Sequence, residues 1–162
     1  MNQRYTTEGM EKFLACYPDG PDCELSRIWH EEVSKRAEQY QALMESCNGN
    51  PEGIELKHHE RDTWAAITPE MSNPEIGTHR CQYFDQSGFF SHYVWKSAEK
   101  TLEELLREGY CLPAPGQLDR LSVTTEWQIG SAKTDLIRQL NSRQITFEQY
   151  QSKVEQVSLL AA

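Results

Sequence analysis

The stretch 80–110 constrains the fold of this chain more than any other part. It reads RCQYFDQSGFFSHYVWKSAEKTLEELLREGY. Its first half has two aromatic-rich runs on either side of Ser87-Gly88, and a two-residue turn with glycine in second place is typical of a β-hairpin. Its second half has apolar residues at helical spacing. The stretch therefore predicts a central hairpin over 80–95 that leads directly into a helix.

With Ser87-Gly88 as the loop, the register predicts that Gln82 pairs with Tyr93 and that Phe84 pairs with Ser91. Both faces of the hairpin are then partly apolar, whereas a sheet that faces water on one side alternates apolar and polar residues. The second face is either another core layer, which is the commoner use of aromatic side chains, or a binding surface for a partner. Its members are Phe84, Phe89, Tyr93 and Trp95.

The helix predicted over 98–108 has signals at both ends. Ser97 stands where an N-cap residue belongs, and Glu99 follows in the first turn, where the helix dipole favours negative charge. Gly109 suits the position just after the last turn. The apolar side of this helix consists of Ala98, Leu102, Leu105 and Leu106.

The N-terminal part predicts two helices and two short strands. Helical spacing of apolar residues favours helices over 8–16 and 27–46, the second with Ser26 as its cap. Short runs of strand-forming residues favour strands over 54–57 and 63–68. The second of these strands would extend the hairpin into a three-stranded antiparallel sheet.

The segment between the central helix and the tail has less regular patterns. Prolines at positions 113 and 115 favour an extended, surface-lying chain over 111–117. Residues 118–127 contain a β-branched run and are ambiguous, since they would also suit a fourth strand. The sequence thus predicts an α+β fold, in which a small antiparallel sheet of three to four strands over about 54–95 packs on helices.

The last part of the chain predicts a helical hairpin. Apolar residues at helical spacing favour a helix over 132–140. Thr146 and Gln149 form a capping-box pattern that opens a final helix. The expected division is a single α+β domain over 1–130 and a hairpin over 131–162, which either packs on that domain or serves as an interaction appendage.

The tail segment LIRQLNSRQITFEQYQSKVEQVSLL resembles the short C-terminal helical hairpin known as the SHOCT domain, over about the last 27 residues. The resemblance lies in the apolar spacing of the first helix, in the Ile145-Thr146 hinge and in the spacing of Phe147, Tyr150 and Lys153. Arg143-Gln144 stand where the family usually has a glycine. The resemblance implies an oligomerisation or interaction appendage without catalysis. The candidate binding surface therefore also includes Phe147 and Tyr150.

Composition limits the kind of partner. The chain has 162 residues and a formal net charge of −9, and residues 1–62 hold 13 acidic against 7 basic side chains. Such a surface disfavours nonspecific nucleic-acid binding, and it serves either solubility alone or the steering of a basic partner. The sequence has no apolar leader and no run long enough to span a bilayer, so we expect no membrane contact. Five cysteines without CxxC spacing favour reduced thiols and a cytoplasmic location.

Two sets of side chains could carry chemistry. Cys81 and His92 share a face in the predicted register, with Asp85 near enough to orient the imidazole, as a nucleophilic cysteine–histidine pair would need. The commoner alternative is a buried thiol beside a hydrogen-bonded core histidine. Imidazole and thiolate are also zinc ligands, although exposed polar loop residues are the commoner interpretation. The candidate zinc ligands are His59, His79, Cys81 and His92.

No phosphate-binding loop, HExxH pattern or GxSxG elbow occurs in the sequence. We therefore expect a non-enzymatic protein that acts on another protein through its acidic helices, its aromatic hairpin or its tail. Inhibitors, adaptors and immunity proteins among small acidic bacterial or phage accessory proteins have this kind of composition. Self-association through the tail is part of this expectation, and no cofactor is expected. The alternative is a small enzyme, or a metal- or ligand-binding protein, that uses the cysteine and histidine residues named above.

Overall fold

The structure, a computed structural model, describes residues 8–16, 24–72 and 75–159. Its strands are β1 Glu55–His58, β2 Trp64–Pro69, β3 His79–Asp85, β4 Gly88–Trp95 and β5 Tyr110–Pro113. Its helices are α1 Glu8–Cys16, α2 Glu24–Ser46, α3 Ala98–Arg107, α4 Gln117–Ser122, α5 Thr125–Asn141 and α6 Phe147–Leu159. The strands form one antiparallel sheet in the order β4-β3-β2-β1-β5, so the predicted α+β class is confirmed.

The sheet has five strands rather than the predicted three to four. The strand that the sequence does not predict is β5, which lies largely in the segment predicted to be extended because of its prolines. It pairs with β1, where Lys57 lies opposite Leu112 and Leu56 lies opposite Pro113. Because proline is tolerated on an edge strand, Pro113 is compatible with this position at the margin of the sheet. A pairing between such distant segments leaves no local pattern in the sequence.

The strand alternative for residues 118–127 is wrong, because they form α4 and the start of α5. Thr124 caps α5, since its side-chain oxygen accepts a hydrogen bond from Trp127 N at 3.2 Å. The carboxylate of Glu55 accepts hydrogen bonds from Gln117 N at 2.6 Å and from Leu118 N at 3.1 Å. The start of α4 is therefore held by a residue of β1, far away in the sequence.

The N-terminal helices are present, and α1 has the predicted bounds. The second helix begins at Glu24 rather than at residue 27, so Ser26 lies inside its first turn instead of capping it. An acidic residue in the first turn favours this earlier start, because it interacts well with the positive end of the helix dipole.

Helix α3 confirms the prediction for the segment after the hairpin. The Ser97 side chain accepts a hydrogen bond from Lys100 N at 3.2 Å, as an N-cap should. Gly109, with φ of 93°, terminates the helix in the left-handed conformation that glycine adopts without steric cost. Leu102 and Leu105 are fully buried beneath the sheet.

The hairpin is present, but its predicted register is wrong. Asp85 pairs with Gly88, so the turn residues are Gln86-Ser87 rather than Ser87-Gly88. The Asp85 carboxylate accepts hydrogen bonds from Ser87 N at 2.7 Å and from Ser87 Oγ at 2.6 Å, which fixes the turn one residue earlier. The register also shifts beyond Phe84, which leaves Phe90 as the extra residue of a β-bulge. The observed pairs include Gln82 with His92, Cys81 with Tyr93 and Tyr83 with Ser91.

The sheet is covered on both faces. One face packs on α2 and α3, around the fully buried side chains of Leu56, Ile67 and Cys81. The other face carries a smaller apolar cluster: Trp64, Ala66, Phe84 and Trp127. The second aromatic face of the hairpin is thus partly a core layer, with Phe84 at its centre.

The tail forms the predicted helical pair. Helix α5 runs continuously across the expected boundary at residue 130 and buries Trp127 and Leu136. The capping box opens α6, since Thr146 N donates to Gln149 Oε1 at 2.9 Å and Gln149 N donates to Thr146 Oγ1 at 3.3 Å. No side chain of α6 is fully buried, although Tyr150, Val154 and Val157 are half-buried. Among the helices described, none has the length and apolar character needed to cross a membrane.

Candidate functional site

The four candidate zinc ligands do not converge on one point. His59 Nδ1 lies 3.0 Å from Gly109 O, and His79 Nε2 lies 3.1 Å from a carboxylate oxygen of Glu52. Cys81 is fully buried in the core, and His92 is exposed on the other face of the sheet. Within the described ranges, no group of three or more histidine, cysteine, aspartate or glutamate residues is arranged to hold a metal ion.

The cysteine–histidine pair depended on the predicted register. In the observed register Cys81 lies opposite Tyr93 and His92 lies opposite Gln82, so the two side chains point to opposite faces. Asp85 is used by the turn and not by an imidazole. Burial raises the pKa of the Cys81 thiol to about 12, so the thiol stays protonated at neutral pH. A nucleophilic cysteine needs the thiolate, and Cys81 is therefore a core residue.

The outer edge of β4 is an unusual surface among the described residues. This strand is the last in the sheet, and no other described strand pairs with its outer side. Its eight residues, GFFSHYVW, include no Asp, Glu, Lys, Arg or Pro. Phe89, Phe90 and Tyr93 are 44%, 53% and 57% exposed. Natural sheets usually protect such an edge with charge, proline or shortness, because its unpaired backbone groups can bind another strand.

On one face of this edge lies an aromatic patch, formed by Tyr83, Phe90 and Tyr93. The Tyr83 ring centroid lies 6.1 Å from that of Tyr93, nearly perpendicular to it, and 6.2 Å from that of Phe90. Regular alternation would place Phe90 and Tyr93 on opposite faces, and the bulge at Phe90 brings both onto the face of Tyr83.

A carboxylate adjoins the aromatic patch. The Tyr83 hydroxyl donates a hydrogen bond to Glu108 Oε2 at 2.6 Å. Burial, with contributions from Cys81 and Glu108, raises the pKa of Tyr83 far above its usual range. The Tyr83 hydroxyl therefore keeps its proton and donates it in a hydrogen bond to the carboxylate of Glu108, whose side chain is exposed.

On the other face, the hairpin tip sits on α5. A Cβ atom at Gly130 would lie 1.7 Å from the Ser87 carbonyl oxygen, so only glycine allows this approach. The Phe89 ring packs on Trp127 with a centroid distance of 5.0 Å. Beside this contact is an open groove of about 860 Å³, whose lining includes Phe89, Phe90 and Ile129. The strand edge is thus flanked by the aromatic patch and by this groove, and Phe90 borders both.

The predicted binding residues fall in three places. Phe84 is fully buried, whereas Phe89 is partly exposed beside it on the same face. Tyr93 is exposed and Trp95 half-buried on the opposite face. Phe147 and Tyr150 lie on α6, where their rings stack with centroids 6.3 Å apart. The sequence did not point to Phe90, Tyr83 or Glu108, because their proximity depends on the bulge and on a contact across 25 residues.

Comparison of the chain with models of protein families, with curated proteins and with solved structures gave no match. The resemblance of the tail to the SHOCT hairpin therefore stays a prediction.

Proposed function

We propose that this chain is a non-enzymatic interaction protein that captures an extended segment of another protein. The segment would add to β4 as a sixth strand of the sheet. The observation that carries the proposal is the edge itself, which is long, uncharged and aromatic. A cytoplasmic inhibitor or adaptor role, as the sequence predicts, agrees with this mode of binding.

Strand addition would use two kinds of interaction. Backbone N–H and C=O groups on the outer side of β4 would pair with the segment and give affinity regardless of its sequence. Side chains of the segment would alternate between the aromatic patch and the groove beside α5, which would give selectivity. The close contact between the hairpin tip and Gly130 supports this proposal, because an edge that α5 holds in place would lose little conformational entropy on binding.

The test is to select ten-residue peptides from a random library on the immobilised full chain. Binding of a selected peptide is then measured with the wild type and with Tyr93→Lys, which introduces charge on the β4 edge. The matched control is Leu112→Lys on β5, where the side chain is 46% exposed. We expect Tyr93→Lys to weaken binding at least about tenfold and Leu112→Lys to leave it unchanged, provided that both variants keep the thermal unfolding midpoint of the wild type.

Two further measurements locate the bound segment. Methylation of alternate backbone nitrogens in the peptide should abolish binding, because it removes the donors that strand addition needs. Amide hydrogens of β4 should exchange more slowly in the complex than in the free chain. A library without binders, or binders that protect only other amides and tolerate Tyr93→Lys, would overturn the proposal.

A second candidate surface is the exposed side of α6. Phe147 is 56% exposed and stacks on Tyr150, and no side chain of α6 is fully buried against the rest of the described chain. We propose self-association here, in line with the SHOCT resemblance. Sedimentation equilibrium should show a dimer or larger species that Phe147→Lys dissociates. A monomer at all concentrations would contradict this second role without affecting the β4 proposal.

A further inference from the structure

Building on strand addition at β4, we infer that the captured segment is basic. It would place a lysine or arginine side chain over the aromatic patch, beside the carboxylate of Glu108. The partner would therefore present an extended stretch in which basic residues alternate with apolar ones.

The aromatic patch is suited to a cation. Phe90 and Tyr93 are more than half exposed, and both pack on the buried Tyr83 ring. The face of an aromatic ring carries partial negative charge and attracts an ammonium or guanidinium group. An apolar side chain would also pack here, so the patch by itself does not select a charge.

The position of Glu108 favours a positively charged side chain over an apolar one. Its carboxylate lies at the hydroxyl end of Tyr83 and accepts one hydrogen bond from it. A carboxylate has about four lone-pair sites, so one hydrogen bond leaves room for a cationic donor. Among the described residues, no lysine or arginine forms an ion pair with Glu108, since the nearby Arg107 pairs with Glu104. An acidic or neutral segment would leave this charge without a counterpart, whereas a basic side chain would match it.

The alternation of basic and apolar residues in the captured segment follows from the geometry of a β-strand. Successive side chains of an added strand point to opposite faces of the sheet, so every second residue would face the patch. The residues between them would face the groove beside α5, where Phe89 and Ile129 could contact apolar groups next to the polar side chains of Glu126 and Lys133. The net charge of −9 would also steer a basic segment toward this chain in preference to an acidic one.

The test compares three synthetic peptides of ten residues in which valine alternates with lysine, with glutamine or with glutamate. Affinity for the full-length wild-type chain is measured by fluorescence anisotropy, together with amide exchange of β4. We expect the lysine peptide to bind about tenfold more tightly than the glutamine peptide and the glutamate peptide to bind least.

Two variants and one control assign the preference for lysine to the aromatic patch. Glu108→Gln keeps an acceptor for the Tyr83 hydroxyl but removes the charge, and it should lower the affinity for the lysine peptide about fivefold without changing that for the glutamine peptide. Glu155→Gln on the exposed side of α6 changes the net charge equally and should have no effect. Tyr93→Leu should reduce the lysine preference in the same direction as Glu108→Gln.

The outcomes separate the two proposals. Equal affinities for the lysine and glutamine peptides, with β4 amides protected by both, would overturn the basic segment and leave strand addition intact. A lysine preference that Glu108→Gln and Glu155→Gln reduce equally would also overturn it, because net charge alone would then explain the preference. Absence of β4 protection with every peptide, including those selected from the library, would overturn strand addition and the basic segment together.

Discussion

The sheet ends in β5 on one side and in β4 on the other, and these two edge strands differ in length, composition and surroundings. Strand β5 has four residues, ends at Pro113 and runs into α4, whose start is held by Glu55 of the neighbouring strand. Strand β4 has eight residues, no charge and three exposed aromatic side chains. Shortness and proline are common protections against unwanted pairing. Among the described residues, one edge of the sheet is thus protected and the other is open, and the proposed binding at β4 rests on this difference.

The largest effect is expected where α5 supports β4. Trp127 is 7% exposed and packs on Phe84 and Phe89. Trp127→Ala should lower the free energy of unfolding by about 3–5 kcal/mol, the usual cost of removing a large buried aromatic side chain. Leu112→Ala, on the protected edge, should cost less than about 1 kcal/mol because its side chain is already partly in water. Denaturant titration gives both values, and a small loss for Trp127→Ala would show that α5 is an appendage rather than part of the domain.

The close contact between the hairpin tip and α5 can be tested with two helical glycines, Gly130 at the contact and Gly9 away from it. Alanine in place of helical glycine normally stabilises by up to about 1 kcal/mol. At Gly9 a Cβ atom would meet its nearest neighbour at 3.7 Å, so Gly9→Ala should follow this rule. At Gly130 the Cβ atom would overlap the Ser87 backbone, so Gly130→Ala should instead destabilise by about 1–3 kcal/mol. If the two substitutions shifted the thermal unfolding midpoint in the same direction, the close contact at Gly130 would be contradicted.

Acid should weaken the β5 side of the sheet and not the β4 side. His58 is 3% exposed, pairs with Tyr110 of β5 and accepts a hydrogen bond from Glu60 N at 3.0 Å. Burial is the main cause that lowers its pKa, and the positive charge of Arg61 and the nearby His59 act in the same direction. The unfolded chain therefore binds a proton that the folded chain resists. This contribution to stability is complete above about pH 6.5 and is lost as the pH falls below that value, with a slope of at most about 1.4 kcal/mol per pH unit for one proton.

Amide exchange at several pH values can check this difference between the edges. Below about pH 6 the amides of Tyr110 and Leu112 should lose protection, while those shared by β3 and β4 should keep it. The variant His58→Gln should remove most of the pH dependence of β5. An equal loss of protection on both sides of the sheet would show that acid acts on the whole fold rather than on His58.

Local signals in the sequence were enough to predict the hairpin, α3 and the capping box of α6, because each depends on residues within one or two turns. The register of the hairpin was not predictable in this way, since the Asp85 side chain competes for the turn and Phe90 bulges out. The incorrect register places Cys81 and His92 on one face of the hairpin, and this placement suggests a catalytic pair that the structure does not contain. Contacts between distant segments were also beyond local patterns, as the capping of α4 by Glu55 shows.

The candidate site was predictable to a similar extent. The aromatic character of β4 is visible in the sequence, and Phe89 and Tyr93 are exposed as a binding surface would require. That β4 lies at an edge follows from the order of all five strands, which no single segment encodes. Glu108 joins the site only because α3 crosses the sheet and brings its last turn to Tyr83.

The smallest effect on stability is expected from the loss of a helix cap, either Ser97 at the start of α3 or Thr146 at the start of α6. Ser97 connects β4 to α3, whose apolar side is fully packed, so Ser97→Ala should lower the free energy of unfolding by about 1 kcal/mol. Thr146→Ala removes an equivalent cap from α6, but no side chain of this helix is fully buried. It should therefore change global stability by less than about 0.5 kcal/mol and affect only the helicity of the tail. Equal losses of stability from the two variants in denaturant titration would mean that α6 contributes to the cooperative core. Self-association through α6 would then be a weaker proposal than the binding of a partner at β4.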